Sequence, residues 1–309
     1  MNHSRRKFIQ QSGGALPILL APSIFSYSSP TSVMEVKIDE INLFLINVTK
    51  ERNFSFGVWK NRQHVMFNIK GANHIGWGET KVASNQPDFD LAEWSKAFKK
   101  LKGMTLGQAI EEVRNQFLSG HWRPIITEGL LMTLYDLMGK IENKPTVKIW
   151  GLEGQDPVPA IFCILEKEEE MVVKQAQIAI DQNMHRYVKI KMFGDFEQDK
   201  KNISALRKFL GPDAFILGDP NRGYKYIKDL KELSKIMIAL HEAGMDGVED
   251  PSSLNKEELI YLQANVGKLS IVPDHIMRPA AKSIEYFDER MGDYFNLHPN
   301  CMGTFAEIN

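Results

Sequence analysis

Cysteine is scarce in this chain, two in 309 residues, which excludes a disulfide framework and a cysteine-based zinc cluster. Charge of one sign is missing too: 38 Lys and Arg stand against 39 Asp and Glu, a formal net charge of −1. Such a balance gives no general attraction to nucleic acid or to an anionic membrane. The modest apolar run from Ala15 to Phe25 is broken by Pro17 and Pro22. It falls far short of the ~18 apolar residues that span a bilayer. Glycine (22) and proline (14) are at ordinary levels, so collagen-like and low-complexity chains are excluded. What remains is a globular chain, 43% hydrophobic, long enough for about two domains at roughly 150 residues each.

The N-terminus reads Ser4-Arg5-Arg6-Lys7-Phe8-Ile9, followed by the weakly apolar run and a Ser/Tyr/Pro-rich stretch from Ser26 to Ser32. A paired-arginine start before such a run looks like a twin-arginine export signal, which implies a periplasmic protein that folds before export. Residues 1–33 are accordingly set aside as signal and linker.

From Val33 to Ile46 apolar residues mostly alternate (Val36, Ile38, Ile41, Leu43, Leu45), as in a strand. A second strand, Val65–Ile69, precedes Gly76-Trp77-Gly78-Glu79. Helical patterns follow over Leu91–Lys100, Thr105–Phe117 and Ile126–Ile141, giving an α+β unit. Beyond Val158 the character changes. Six strand-like runs recur, Pro159–Leu165, Tyr187–Phe193, Ala214–Asp219, Gly247–Asp250, Leu269–Asp274 and Tyr294–His298. Helical stretches such as Tyr226–Glu242 and Lys256–Asn265 lie between them. A mean step of about 27 residues between strands two and six predicts parallel βαβ units. Polar residues stand at the strand ends, where both a (β/α)8 barrel and a doubly wound sheet place their ligands.

In Val188-Lys189-Ile190-Lys191-Met192 the two lysines share one face of a strand and the apolar residues the other. This pattern fits a solvated surface strand. In a barrel it would place two ammonium groups inside, each disfavouring the charge of the other, which makes a lysine usable as a base. Asp219, Glu249 and Asp274 each end an apolar strand. Singly, such a carboxylate reads as a helix cap or a loop residue. On converging strands the three would supply hard oxygen ligands suited to Mg2+.

In order along the chain these motifs resemble the enolase superfamily, in its mandelate racemase/muconate lactonizing enzyme branch, and are dipeptide-epimerase-like. Gly76-Trp77-Gly78-Glu79 looks like that family's Gly-Trp-Gly-Glu turn, and Leu134–Lys140 with Pro145 like its Trp-Asp-Leu-Leu-Gly-Lys…Pro helix end. Lys189-x-Lys191, Asp219-x-Asn221, Glu249-x-Pro251 and Asp274 match the motifs of its second to fifth barrel strands. The resemblance implies an α/β fold, with an α+β capping domain (34–152) before an incomplete TIM-type (β/α) barrel of about six strands (153–309). It implies one Mg2+ per site, on Asp219, Glu249 and Asp274. Lys191 would be the base, and Lys189 would sit beside the substrate carboxylate and help depress the pKa of Lys191. The reaction implied is removal of the α-proton of a carboxylate substrate through an ene-diolate, by a racemase or epimerase. An acid-sugar dehydratase, a cycloisomerase or a non-catalytic metal-binding member is the alternative.

This chain departs from the pattern in places. His298 stands where relatives carry a catalytic lysine, and an imidazole there could act as acid or base on the opposite face. His275 replaces a glutamate after Asp274, and with Asn221 it would flank the metal ligands. Phe54, Phe56 and Trp59 lie where family members carry a substrate-covering loop, and they also suit an ordinary hairpin with packed aromatics. Cys163 and Cys301 are expected as partly buried free thiols. The expected partner is a small-molecule carboxylate, without nucleic acid or a membrane span, and an oligomer of identical chains is left open. About 155 residues remain for a barrel that normally occupies ~250 with its helices. The expectation is a member lacking its C-terminal quarter, or one completed by a partner chain.

Overall fold

The computed structural model describes residues 31–151, 158–278, 283 and 285–298. The expected export signal falls almost wholly outside these residues, as does Cys301. A single helical turn, α1 (Thr31–Met34), precedes three antiparallel strands in the order β1 (Glu40–Phe54), β2 (Gly57–Gly71) and β3 (His74–Ser84). The expected first strand therefore starts later and runs further. Val33 and Ile38 are buried in the core, but from the helical turn and its exit rather than from a ladder.

One face is buried, most plainly at Val65, Phe67 and Ile69 of β2 and at Gly76, Gly78 and Thr80 of β3. Leu43, Phe67 and Gly78 share one register position, as do Ile41, Ile69 and Gly76. That face packs on α2 (Leu91–Ser95), which tightens into a 3-10 turn (Lys96–Leu101), and on α3 (Leu106–Leu118) and α4 (Pro124–Glu142). The Gly-Trp-Gly-Glu motif lies inside β3 rather than in a turn. A Cβ on Gly76 would come 2.2 Å from the Thr133 carbonyl oxygen, and one on Gly78 2.4 Å from that of Gly129. The glycines are there so that α4 can lie directly on the sheet. Asp136 on α4 accepts from the Trp77 amide at 2.8 Å and from Lys140 at 2.6 Å, while Lys140 donates to the Ile75 carbonyl at 2.9 Å. The second motif is thus a clasp between helix and strand.

A short helix, α5 (Thr146–Ile149), leads out of this unit. The second unit is a five-stranded parallel sheet in chain order: β4 (Phe162–Ile164), β5 (Tyr187–Lys191), β6 (Phe215–Asp219), β7 (Gly247–Glu249) and β8 (Ser270–Val272). Helices α6 (Glu169–Asp181), α7 (Phe196–Leu210), α8 (Leu230–Glu242) and α9 (Lys256–Asn265) join them. Val188 and Ile190 are fully buried with Val172, Ala176 and Leu206 of the helices. Leu233, Met237, Leu240 and Leu259 cover Val248 and Ile271 in the same way. An antiparallel capping sheet followed by part of a (β/α) barrel is the architecture.

The expected sixth strand is not formed among the described residues. Residues 294–298 run beside the end of β8, but one main-chain bond, Asn296 N to Pro273 O at 2.9 Å, does not make a ladder. The helix expected from Tyr226 begins at Leu230 because Asp229 caps it, accepting from the Lys231 amide. Cys163 is exposed, against expectation, although burial around its sulfur pushes the thiol up. No helix among the described residues is long and apolar enough to cross a membrane.

Candidate active site

Three of the four βα turns carry their own side-chain caps. Asp195 accepts from the Gln198 amide, Asp229 caps α8, and Asn255 forms a capping box with Glu258. Asp219, Glu249 and Asp274 are therefore free of that duty. They sit at the C-terminal ends of β6, β7 and β8 and are only 1%, 3% and 4% exposed. Three buried carboxylates demand positive charge nearby.

Lysines supply part of it. Lys191 is the register neighbour of Asp219 across β5 and β6. Its Nζ donates to Asp219 Oδ2 at 2.5 Å and to Asn221 Oδ1 at 2.7 Å. Lys189 Nζ bridges Asp219 Oδ2 at 3.0 Å and Glu249 Oε2 at 2.5 Å. Burial pushes Lys189 down, but the two carboxylates outweigh it and hold the ammonium above its ordinary range. Asp219 is pushed up by burial and pulled further down by both lysines, so it ends below the carboxylate range. Glu249 goes the other way: burial and the charge of Asp219 raise it more than Lys189 lowers it.

Around Asp274 the arrangement differs. Arg278, one helical turn on, donates to its Oδ1 through Nη2 at 2.6 Å and Nε at 3.1 Å, and also to Oδ2. His298 Nε2 lies 3.4 Å from Asp274 Oδ1. Burial lowers His298, with Asp274 opposing and Arg278 assisting. Asn296 Nδ2 donates to Glu249 Oε1 at 2.9 Å and contacts His298 Nε2 at 3.0 Å. Asp250 holds the start of the next turn: its two oxygens accept from the amides of Asp274 and His275, each at 3.0 Å. Burial pushes Asp250 up to about 6, against the Asp274 amide bond. The His275 ring is half exposed and 3.8 Å from Asp250. Burial, with Arg222 and Arg278, lowers it.

The backbone is strained at these strand ends. Asn221, Arg222 and Asp250 adopt φ of +48°, +63° and +43°, conformations that side chains rarely occupy and that cluster where function needs them. The Arg222 amide closes the pair of turns on the Asp250 carbonyl at 2.8 Å.

Over this mouth hangs the tip of the β1–β2 hairpin. Phe54 stacks on Phe56 with ring centres 5.1 Å apart and meets Trp59 at 4.4 Å. The Phe54 ring centre is 5.5 Å from Lys191 Nζ, within cation–π range. Ser55 Oγ donates to the Pro220 carbonyl at 2.6 Å. On its other side Trp59 carries the Arg62 guanidinium at 4.1 Å and Lys81 at 4.9 Å.

The eleven site residues named from the sequence thus fall at one mouth, with Lys189 joining Asp219 to Glu249. Asp219 belongs with the lysines and Asn221. Glu249, Asp274 and His298 bring three ligand atoms within 4.8 Å of one another. The donors suit a divalent cation: hard, buried oxygens in surplus over nearby positive charge at Glu249. Asn296, Arg278, Asp250 and Ser55 were not foreseen. Asn296 shares strand parity with His298, and Arg278 stands four residues after Asp274. Those spacings were signals; nothing in the sequence marked Asp250 or Ser55.

Residues 171–308 match the family described as enolase C-terminal domain-like. Muconate cycloisomerase 1 from Acinetobacter baylyi is 20% identical over 246 residues, covering 75% of this chain and 64% of the relative. An L-Lys-D/L-Arg epimerase from Methylococcus capsulatus is 29% identical over 128 residues, 41% of this chain and 34% of that protein. The chain thus spans less than two thirds of the length of either curated relative. Among solved structures, muconate lactonizing enzyme from Pseudomonas fluorescens, complexed with muconolactone, superposes with a TM-score of 0.74 at 19% identity. It covers 89% of this chain and 76% of its own. Dipeptide epimerase from Enterococcus faecalis, complexed with Mg and L-Leu-L-Tyr, gives 0.72 at 20% identity, covering 88% and 78%.

Proposed function

Because the chain belongs to the enolase superfamily, in its mandelate racemase/muconate lactonizing enzyme branch, we propose that it abstracts the α-proton of a small carboxylate substrate. The reaction would be racemisation or epimerisation of a dipeptide-like molecule. The observation that carries this reading is the pairing of Lys191 and Lys189 with the buried carboxylates of Asp219 and Glu249 beneath the aromatic hairpin.

Lys191 Nζ, in its neutral form, would take the α-proton. Asn221 Oδ1 fixes where that nitrogen points. Lys189 would hold a substrate carboxylate oxygen and meet the negative charge that builds there. Glu249 and Asp274, with Asp219 at the lysine side, would hold Mg2+. When bound, the cation supplies Lewis-acid stabilisation of charge on the substrate carboxylate. Phe54, Phe56 and Trp59 would exclude water and pack on an apolar side chain. His298, beside Asp274, would serve as acid or base on the opposite face.

The wider coverage of this chain by the curated cycloisomerase relatives favours a second reading, cycloisomerisation by the same half-reaction. Export through Arg5-Arg6 to the periplasm belongs to the same proposal. It is checked by following a full-length fusion with both arginines replaced by lysine. The central test is incorporation of solvent deuterium at the α-carbon across a library of dipeptides and acid sugars, with Mg2+. Exchange on dipeptides is expected. Absence of exchange on every compound, while the cation still binds, would overturn the catalytic reading in favour of a binding protein.

A further inference from the structure

One buried carboxylate takes no part in the site described above. Asp199, in the first turn of α7, is 1% exposed. Three uncharged donors satisfy it. The Phe193 amide donates to Oδ1 at 2.9 Å and the Gly194 amide to Oδ2 at 3.0 Å. The Tyr224 hydroxyl donates to Oδ2 at 2.7 Å. Tyr224 is fully buried, and burial with the Asp199 charge pushes its phenol up, so it remains a donor. The two amides hold the chain just as it leaves β5, directly behind Lys191 and Met192. The hydroxyl belongs to the turn after β6, which carries Asn221. From there the Tyr224 amide reaches the Pro251 carbonyl beyond β7 at 3.2 Å. One carboxylate thus joins the exits of three strands.

The first two exits also touch. Gly194 has φ of +76°, and a Cβ there would lie 2.5 Å from the Gly223 carbonyl oxygen. Tyr226 Oη donates to the Gly194 carbonyl at 3.1 Å. The Gly223 amide closes the β6 turn on the Pro220 carbonyl at 2.9 Å. Asn221 stands inside that turn, and its Oδ1 accepts from Lys191 Nζ at 2.7 Å. The side chain of Asn221 meets the lysine only while the turn stays where Tyr224 holds it. A buried carboxylate costs stability unless its donors are all in place. Here every one of those donors belongs to the two loops that set Lys191 against Asn221.

We propose that Asp199 and Tyr224 are positioning residues, which lock the β6 exit to the β5 exit and so fix Lys191 Nζ on Asn221 Oδ1. Both act through the backbone of the loops. Lys189 is held separately, by Asp219 and Glu249, and serves as the internal comparison. For its catalytic meaning this rests on the proposed reading of Lys191 as the base.

The test uses the full chain, unaltered and as Tyr224→Phe or Asp199→Asn. Tyr224→Phe removes one oxygen from a buried ring and leaves Asp199 both of its backbone donors. Asp199→Asn sets an amide nitrogen against donors that one carboxylate oxygen now receives. Lysines are labelled with limiting acetic anhydride, and fragment-ion mass spectrometry reads positions 189 and 191 separately. In both variants Lys191 should label about fivefold faster, the scale of one lost hydrogen bond, with Lys189 within about twofold. A general loosening would speed both. Equal acceleration of the two lysines, or no change at Lys191, overturns the proposal. On a dipeptide that the unaltered protein exchanges with solvent deuterium, kcat should fall about tenfold with KM within about twofold. A rise in KM alone also overturns it. If the unaltered protein exchanges no compound, the proton-abstraction reading falls, and the labelling still decides whether Asp199 and Tyr224 position Lys191. Tyr224→Phe decides it even if Asp199→Asn does not fold.

Discussion

Ser55 Oγ donates to the Pro220 carbonyl at 2.6 Å, across 165 positions of sequence. The bond ties the tip of the capping hairpin to the turn between Asp219 and Asn221. It places Phe54 against Lys191, so the lysine pair is roofed by aromatic carbon rather than by solvent.

Ser55→Ala should loosen that roof without unfolding either unit, since each has its own buried core. Hydrogen exchange at residues 52–60 is expected to speed up severalfold, while β5 and β6 stay protected. Unchanged exchange at the tip would mean that aromatic packing alone holds it.

Lys191→Met keeps the length of the side chain and removes the base. Deuterium exchange at the substrate α-carbon should fall by about a thousandfold, with cation affinity within a few-fold of the original. Retained exchange would move the base elsewhere.

Asp219→Ala would leave two largely buried ammonium groups without their shared partner. Urea unfolding should show a loss of about 3 kcal/mol. Lys189→Met in the same background should recover part of it, a non-additivity that a double-mutant cycle measures.

Gly78→Val puts a branched side chain where even a Cβ lies 2.4 Å from the Gly129 carbonyl oxygen. The α4–β3 contact must open, and a loss of about 3 kcal/mol or more is expected. Gly57→Ala, at a hairpin turn with no atom within 4 Å but φ of +142°, should cost only the backbone strain, about 1 kcal/mol. Thermal unfolding of the two variants separates crowding from strain.

Glu128 on α4 is half-buried, and burial pushes its carboxyl up to about 7 from an ordinary 4.5. The folded state therefore holds the proton more tightly than the unfolded chain. Its contribution to stability is full below about pH 4.5 and is lost as pH rises through about 7. Glu128→Gln should flatten this slope and stabilise the protein at pH 8 by about 1 kcal/mol once solvent screening is allowed for. Melting curves from pH 4 to pH 8 test it.

Much of this molecule was legible beforehand. The i, i+2 lysines, the carboxylates ending apolar strands and the strand–helix period each follow from local geometry. β5 with its two lysines inward, the five parallel strands and the helix faces over Val188 and Ile190 match what those patterns predict. Strand boundaries were less legible. Residues 33–38 alternate like a strand, yet a helical turn buries Val33 equally well. Residues 294–298 have strand-like composition, but composition does not supply a ladder partner.

The sequence by itself determined which residues carry charge at which strand ends, because alternation and period are properties of neighbours along the chain. Only tertiary structure decided how the charges are shared. Asp219 took both lysines and shares Lys189 with Glu249, Asp274 took Arg278, and Asn296 and Asp250 became the braces between the strand ends. Those pairings depend on distances of a few ångströms between separate βα units. Buried charge makes each of them energetically decisive, and no local pattern encodes them.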